Sequence, residues 1–264
     1  MRFTKMHGLG NDYIFLNCME TIPDDLHGLA RRLSDRHFGV GGDGIICICP
    51  SKQADFRMRI FNSDGSEGAM CGNGIRCFGK YVYERGLTDS AHLMIETQAG
   101  NRELELTVKG KNITKVTVDM GEPVISEPVD LLMMGERRTV IPVSMGNPHA
   151  VVEVENPQVL DLRTVGPAVE CHSEFPNRVN AEFIRVIGPA ALELRVWERG
   201  SGETLACGTG ACAAVAAMAS QGKLDREAVV HLTGGELRVR WEEKSGHVFM
   251  TGPAVAVFDG ELAD

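Results

Sequence analysis

Two cysteines in this sequence share an unusual setting. Cys71 lies in Ala69-Met70-Cys71-Gly72-Asn73-Gly74-Ile75-Arg76-Cys77, and Cys207 lies in Leu205-Ala206-Cys207-Gly208-Thr209-Gly210-Ala211-Cys212. Each glycine turn leads into a helical run, from about Gly74 to Arg85 and from about Gly210 to Gln221. The glycines keep side chains away from the helix start. Backbone N–H groups without intrahelical partners, and the positive end of the helix dipole, are left to face a ligand. A thiol there is expected to have a lowered pKa, and the same N–H groups can hold a carboxylate. Free cysteines are ordinarily small buried hydrophobes, which is the reading for Cys18, Cys47, Cys49, Cys77, Cys171 and Cys212. A core cysteine needs no glycine-flanked helix start, so Cys71 and Cys207 call for another explanation.

Inversion of a stereocentre by proton transfer is chemistry that uses two such thiols. A base removes the α-hydrogen from one face and an acid returns a proton to the other. The carbanion-like transition state places negative charge on the substrate carboxylate, where helix N-termini stabilise it. An electron-sink cofactor is then unnecessary, and none is expected. Cys47-x-Cys49, Cys71-x5-Cys77 and Cys207-x4-Cys212 lack the paired knuckles of structural zinc sites, so no metal is expected either.

The elements that must position these thiols repeat. An offset of 136 residues maps Gly10-Asn11 onto Gly146-Asn147, Asp25-Leu26 onto Asp161-Leu162, Arg59 onto Arg195, Glu67 onto Glu203 and Gly86 onto Gly222. It also maps Cys71-Gly72-x-Gly74 onto Cys207-Gly208-x-Gly210. Phe56-x-Met58-x-Ile60 and Leu192-x-Leu194-x-Val196 alternate as half-buried strands before each turn. Gly86 and Gly222 stand where a left-handed glycine ends a helix. Leu104-x-Leu106-x-Val108, Val116-x-Val118-x-Met120 and Leu237-x-Val239-x-Trp241 predict further strands. The fold class is therefore α/β of the α+β type: two pseudo-symmetric domains, 1–121 and 122–264, each a strand-rich unit around a central helix. The boundary falls in the stretch Gly121 to Pro142, and the last strand is free to return to the first half.

Composition sets the class of partner. The chain has 264 residues, 43% hydrophobic and 24% charged, as in ordinary globular proteins. Its net charge of -9 offers no basic footprint for nucleic acid. The N-terminus reads as no secretory signal, and the apolar run Ala211 to Ala219 is too short to span a bilayer. Eight cysteines with no such signal predict reduced thiols and a cytoplasmic location. A small-molecule ligand is expected, with neither nucleic acid nor membrane as a partner.

At the cysteine turns and beyond, the sequence resembles the diaminopimelate epimerase family. The likeness rests on Lys5-Met6-His7-Gly8-Leu9-Gly10-Asn11-Asp12, Phe61-Asn62-x-Asp64-Gly65-Ser66-Glu67, Met70-Cys71-Gly72-Asn73-Gly74-x-Arg76-Cys77, Met145-Gly146-Asn147-Pro148-His149, Glu198-Arg199-Gly200-x-Gly202-Glu203-Thr204 and Ala206-Cys207-Gly208-Thr209-Gly210. The resemblance implies the family's paired α/β domains and interconversion of LL- and meso-diaminopimelate, in lysine and peptidoglycan precursor synthesis. It casts Cys71 and Cys207 as acid and base, and the Gly72-Asn73 and Gly208-Thr209 amides as holders of the carboxylate at the reacting centre. Asn11, Asn62, Asn147, Asn180, Glu198 and Arg199 match positions that contact the rest of the substrate, with Arg199 suited to the distal carboxylate. His149 and Glu198 match residues that tune the cysteines. A homodimer is implied as well. One position departs: some members carry Gln where this chain has Gly44.

Other readings stay open at this point. A proline or hydroxyproline racemase relative shares the two-cysteine plan, but such relatives have His at the position of Asn73. A cysteine hydrolase pairing one thiol with His149 leaves the second thiol unexplained, and an amino-acid-binding module leaves both unexplained. Gly39-Val40-Gly41-Gly42-Asp43-Gly44 matches a dinucleotide fingerprint, but a strand-like Ile45-Ile46-Cys47-Ile48 follows where a helix is required.

Overall fold

The computed structural model describes residues 1–133 and 135–263. The chain forms two compact units, Met1–Val118 with Gly252–Asp264, and Asp119–Thr251. The division thus falls at 118/119 where the sequence reading drew it at 121/122, and the C-terminal segment groups with the first unit.

The first unit contains β1 (Arg2–Gly8), β2 (Asn11–Asn17), α1 (Leu26–Ser34), β3 (Gly44–Cys49), β4 (Phe56–Asn62), β5 (Glu67–Gly68), α2 (Gly72–Glu84), β6 (His92–Glu96), β7 (Arg102–Lys109) and β8 (Asn112–Asp119). The second contains β9 (Val124–Ile125), β10 (Val129–Met133), β11 (Glu136–Ser144), β12 (Pro148–Glu153), α3 (Leu162–Glu170), β13 (Asn180–Gly188), β14 (Ala191–Glu198) and β15 (Gly202–Thr204). It continues with α4 (Gly208–Ser220), β16 (Glu227–Leu232), β17 (Gly235–Trp241) and β18 (Val248–Gly252), and the chain ends in β19 (Val255–Glu261).

Strand pairing repeats between the units. In the first, β1 and β2 are antiparallel, β2 and β3 parallel, β3 and β4 antiparallel, and β4 and β6 parallel. The second repeats that sequence of senses with β11, β12, β13, β14 and β16. β19 lies antiparallel on β1, the place β10 takes on β11. Its return is therefore part of the repeat: it covers an edge that would otherwise present unpaired N–H and C=O groups.

Among the described residues each unit has two α-helices, one besides the central helix that the sequence predicts. The Asp25-Leu26 and Asp161-Leu162 matches mark the starts of α1 and α3. Asp25 caps α1 by accepting from the Gly28 N–H. β3 is buried along its whole length because both its faces are covered. Ile45 and Cys47 share a core with Leu26, Leu29, Ala30 and Leu33 of α1, while Ile46 lies against the start of α2. Burial of each isoleucine contributes about 1.5–3 kcal/mol. In the second unit Val152, Ala181 and Phe183 pack with Leu162 and Val169 of α3 in the same way. α4 is buried on nearly every side, and its alanines admit neighbours closely. Gly86 and Gly222 both have φ of +68°, the left-handed conformation expected at those helix ends.

Among the described residues, no helix is long and apolar enough to cross a membrane.

Candidate active site

Both thiols occupy the N-cap position of a central helix, since α2 and α4 start two residues earlier than the spacing suggests. Cys71 has φ -132° and ψ 118°, and Cys207 has φ -117° and ψ 114°, the extended backbone of an N-cap. Glycine at positions 74 and 210 of the first turns has a packing reason. A Cβ at Gly74 would lie 2.5 Å from Ile46 Cδ1, and one at Gly210 would lie 2.8 Å from Glu182 Oε1. The amides of Gly72-Asn73 and Gly208-Thr209 open these helices, where N–H groups lack intrahelical acceptors.

Around Cys71, its Sγ accepts from the Gly74 N–H at 3.3 Å and its S–H donates to Asn11 Oδ1 at 3.2 Å. Asn11 is held in that orientation because its Nδ2 donates to Asp43 Oδ2 at 2.7 Å. Behind it, Arg36 bridges Asp12 at 2.8 Å and Asp43 at 3.0 Å, and Lys5 approaches Asp12 at 2.6 Å. Burial opposes ionisation of Asp12, but Arg36 and Lys5 outweigh it and hold the carboxyl below its usual value. Tyr13 is also directed at Cys71. Burial first, then the neighbouring thiol, pushes its phenol well above the ordinary value. Asn73 is buried, and its Oδ1 accepts from Arg76 Nη2 at 2.8 Å. Asn62 Nδ2 donates to Ser66 Oγ at 3.0 Å. No side chain can enter from Gly44, where a Cβ would lie 2.1 Å from the Phe61 carbonyl oxygen.

The surroundings of Cys207 differ. Sequence position predicts a lowered pKa for this thiol; the structure reverses that. Burial pushes it well above its ordinary value, and Glu198 and Glu182 push the same way, against the Thr209 hydroxyl and the Gly210 N–H. Its Sγ lies 3.5 Å from Thr209 Oγ1, which accepts from Asn147 Nδ2 at 3.3 Å. Asn147 Oδ1 is thereby left to accept from His149 Nε2–H at 3.0 Å. His149 Nδ1 and Glu182 Oε1 are 2.7 Å apart and both fully buried; burial raises the Glu182 carboxyl above its usual value, against the pull of His149.

The remaining residues line the end of β14. Glu198 accepts from the Thr204 hydroxyl. Asn180 ties Arg199 in place, its Oδ1 accepting from the Arg199 N–H at 2.8 Å and its Nδ2 donating to the Pro148 carbonyl at 3.1 Å. The Arg199 guanidinium is exposed and donates to the Asn177 carbonyl at 3.1 Å.

In the first unit the structure thus gathers Asn11 and Asn73 with Cys71. In the second it gathers Asn147, His149, Thr209 and Glu198 with Cys207, with Asn180 and Arg199 adjoining each other. Of the cysteines read as buried, Cys171 is exposed, because it forms the C-cap of α3, where the chain leaves the core. Glu182, Arg76 and Tyr13 were missed by sequence reasoning. Glu182 had a legible signal: it is the one acid in the buried stretch of β13 and shares a period-2 face with Asn180.

The class comes first from the fold. It is shared with a phenazine biosynthesis protein, PhzF family, of Bacillus anthracis at a TM-score of 0.79, 20% identity, and coverage of 100% of this chain and 99% of that one. It is also shared with a hydroxyproline epimerase of Agrobacterium vitis at a TM-score of 0.75, 16% identity, and coverage of 98% and 91%. The chain is thus an α/β protein of two repeated halves. Within that class it belongs to the diaminopimelate epimerase family, whose sequence model matches residues 3–126 and 141–257. Similar relatives are the diaminopimelate epimerases of Acetivibrio thermocellus, 52% identical and covering 99% of this chain and 98% of the relative, and of Moorella thermoacetica, 50% identical with 99% of each covered.

Proposed function

We propose that this chain interconverts LL- and meso-diaminopimelate by direct proton transfer between the substrate α-carbon and two thiols, one from each half. The observation that carries this reading is the pair of N-cap cysteines, Cys71 and Cys207, on two helices of a repeated fold. One sulfur, as thiolate, takes the α-hydrogen as a proton and leaves the electron pair on carbon. The other, as thiol, returns a proton to the opposite face. One inversion therefore exchanges the roles of the two sulfurs.

The reaction needs a place for the carbanion's charge. The Gly72-Asn73 and Gly208-Thr209 amides supply it by receiving the α-carboxylate, whose negative charge grows in the transition state. Asn73 keeps its amide in position through Arg76, and Asn180 fixes the backbone of Arg199. Arg199, exposed with donors to spare, takes the distal carboxylate, while Asn11, Asn62, Asn147 and Glu198 receive the distal amino and backbone atoms. His149 and Glu198 tune the thiols.

The eight cysteines stand as thiols outside any disulfide, which fits a reducing cytoplasm. The chain acts as a homodimer in this reading, supported by the exposed Val255, Val257 and Phe258 of β19; a monomeric mass by light scattering counts against that assembly.

Incubation with LL-diaminopimelate and, separately, L-proline, with no added cofactor, tests substrate and reaction together. Epimerisation of the first and not the second is expected. Racemisation of proline, or inertness toward both, overturns the reading.

A further inference from the structure

The two halves carry unlike groups at equivalent places around their cysteines. Packed against Gly74 in the first turn of α2 is the methyl of Ile46; packed against Gly210 in the first turn of α4 is the carboxyl of Glu182. Ile46 and Glu182 stand 136 residues apart, as do the two cysteines. Glu182 is fully buried, its Oε1 2.7 Å from His149 Nδ1 and its Oε2 without a hydrogen-bond partner. Two residues further along α2, Arg76 is also fully buried, donating from Nη1 to the Gly72 carbonyl at 3.0 Å. The equivalent residue of α4 is the apolar, buried Cys212. Cys71 Sγ accepts from the Gly74 N–H, and the equivalent Gly210 N–H faces Cys207 without completing a cap hydrogen bond.

We propose that Glu182 polarises the two-thiol pair: its carboxyl, buried against the first turn of α4 where the other half has Ile46, keeps Cys207 the proton-bearing thiol and leaves Cys71 to ionise first. The physical cause is competition for one helix dipole. A carboxylate already at the N-terminus of α4 makes a second anion beside it unfavourable. The groups facing Cys207 are Glu182 of β13 and Glu198 of β14, with the Thr209 hydroxyl and Gly210 N–H of its own helix. His149 of β12 stands behind Glu182, and the carboxyl end of that pair is the one against Gly210. The groups facing Cys71 are Tyr13 and Asn11 of β2, with Asp43 behind Asn11, and the Gly74 N–H of its own helix. Burial raises the Cys207 thiol, and both carboxylates add to it, in accord with this order.

A symmetric fold doing proton transfer needs one sulfur protonated and one not. Glu182 sets which is which before substrate arrives. It acts through Cys207 and is therefore a positioning residue, and its role rests on the two-thiol reading above.

The test is iodoacetamide labelling of the ligand-free protein from pH 6 to 10, each cysteine quantified by mass spectrometry, for wild type, Glu182→Gln and Glu182→Ile. In wild type the labelling midpoint of Cys71 is expected below that of Cys207. Both variants should lower the Cys207 midpoint, labelling it about tenfold faster near neutral pH, and leave Cys71 unmoved. Glu182→Gln keeps a hydrogen-bonding partner for His149, so a merely structural role leaves its Cys207 midpoint at the wild-type value, and that result overturns the proposal. A wild-type Cys207 that ionises before Cys71 overturns it too. Labelling needs no turnover; a chain that labels as expected yet fails to epimerise diaminopimelate defeats the proposed function and leaves the polarisation standing.

Discussion

Asn11 and Asn147, equivalent residues of the two halves, turn opposite ends of their amides toward the thiol side. Asn11 presents its carbonyl to the Cys71 S–H at 3.2 Å, while Asn147 presents its NH2 to Thr209, the neighbour of Cys207, at 3.3 Å. The reason lies behind each amide. Asp43 takes the NH2 of Asn11, and the imidazole of His149 donates to the carbonyl of Asn147. A duplicated fold has thus become chemically one-sided through residues next to the repeated motif.

His149 and Glu182 form a buried pair, so removal of one member alone is costly. His149→Phe should destabilise the fold by about 3–5 kcal/mol, because it strands a buried carboxyl. His149→Phe with Glu182→Leu should recover much of that loss. Urea unfolding of the two variants measures it, and a double variant no more stable than the single one contradicts the pairing.

Arg199 should matter for binding more than for chemistry. Arg199→Met removes charge-assisted hydrogen bonds to the distal carboxylate, worth about 1.5–3 kcal/mol. The Michaelis constant for diaminopimelate should rise roughly 10- to 150-fold, with kcat changing much less. Steady-state kinetics decide; an unchanged constant removes Arg199 from the binding site.

Buried thiols make stability fall in alkali. Burial pushes Cys77 up to about 12 and Cys207 well above its ordinary value. Above the unfolded thiol value of about 8.5, the unfolded chain has lost protons that the folded chain still holds. Stability contributed by these groups is therefore complete below that pH and declines as pH rises toward the folded values, with an upper slope of about 1.4 kcal/mol per pH unit for each thiol. The urea midpoint should be lower at pH 9.5 than at pH 7.5. An equal midpoint means that these thiols ionise freely in the folded protein.

The glycine turns tolerate no side chain. Gly74→Ala places a methyl against Ile46 Cδ1, 2.5 Å away before relaxation. It should cost about 1–3 kcal/mol of stability and lower kcat by shifting the N-cap that carries Cys71. Wild-type stability and turnover in this variant show that the turn has slack the packing does not reveal.

Much of this architecture was legible because the repeat is written without gaps at the residues that bear strain or chemistry. The cysteines, the turn glycines, the left-handed Gly86 and Gly222 and the alternating strands all fall at the 136-residue offset. What stayed hidden depends on tertiary neighbours. α3 is interrupted in pattern by Gly166 and Pro167, and Gly166 is there because a Cβ would meet the Trp197 ring at 2.4 Å. The lowered thiol pKa expected from a helix start was overruled at Cys207 by burial and by two carboxylates that approach from β13 and β14. Local sequence around Cys207 contains neither of them.

The proposed inversion is a direct proton exchange between solvent-equilibrated thiols and the α-carbon. Wild-type protein incubated with LL-diaminopimelate in deuterated water, without added cofactor and sampled at low conversion, tests it most directly. The meso product should carry one deuterium at its inverted α-carbon, and Cys71→Ala and Cys207→Ala should each abolish inversion. Inverted product that retains the substrate hydrogen, or normal inversion in either variant, contradicts the two-thiol mechanism.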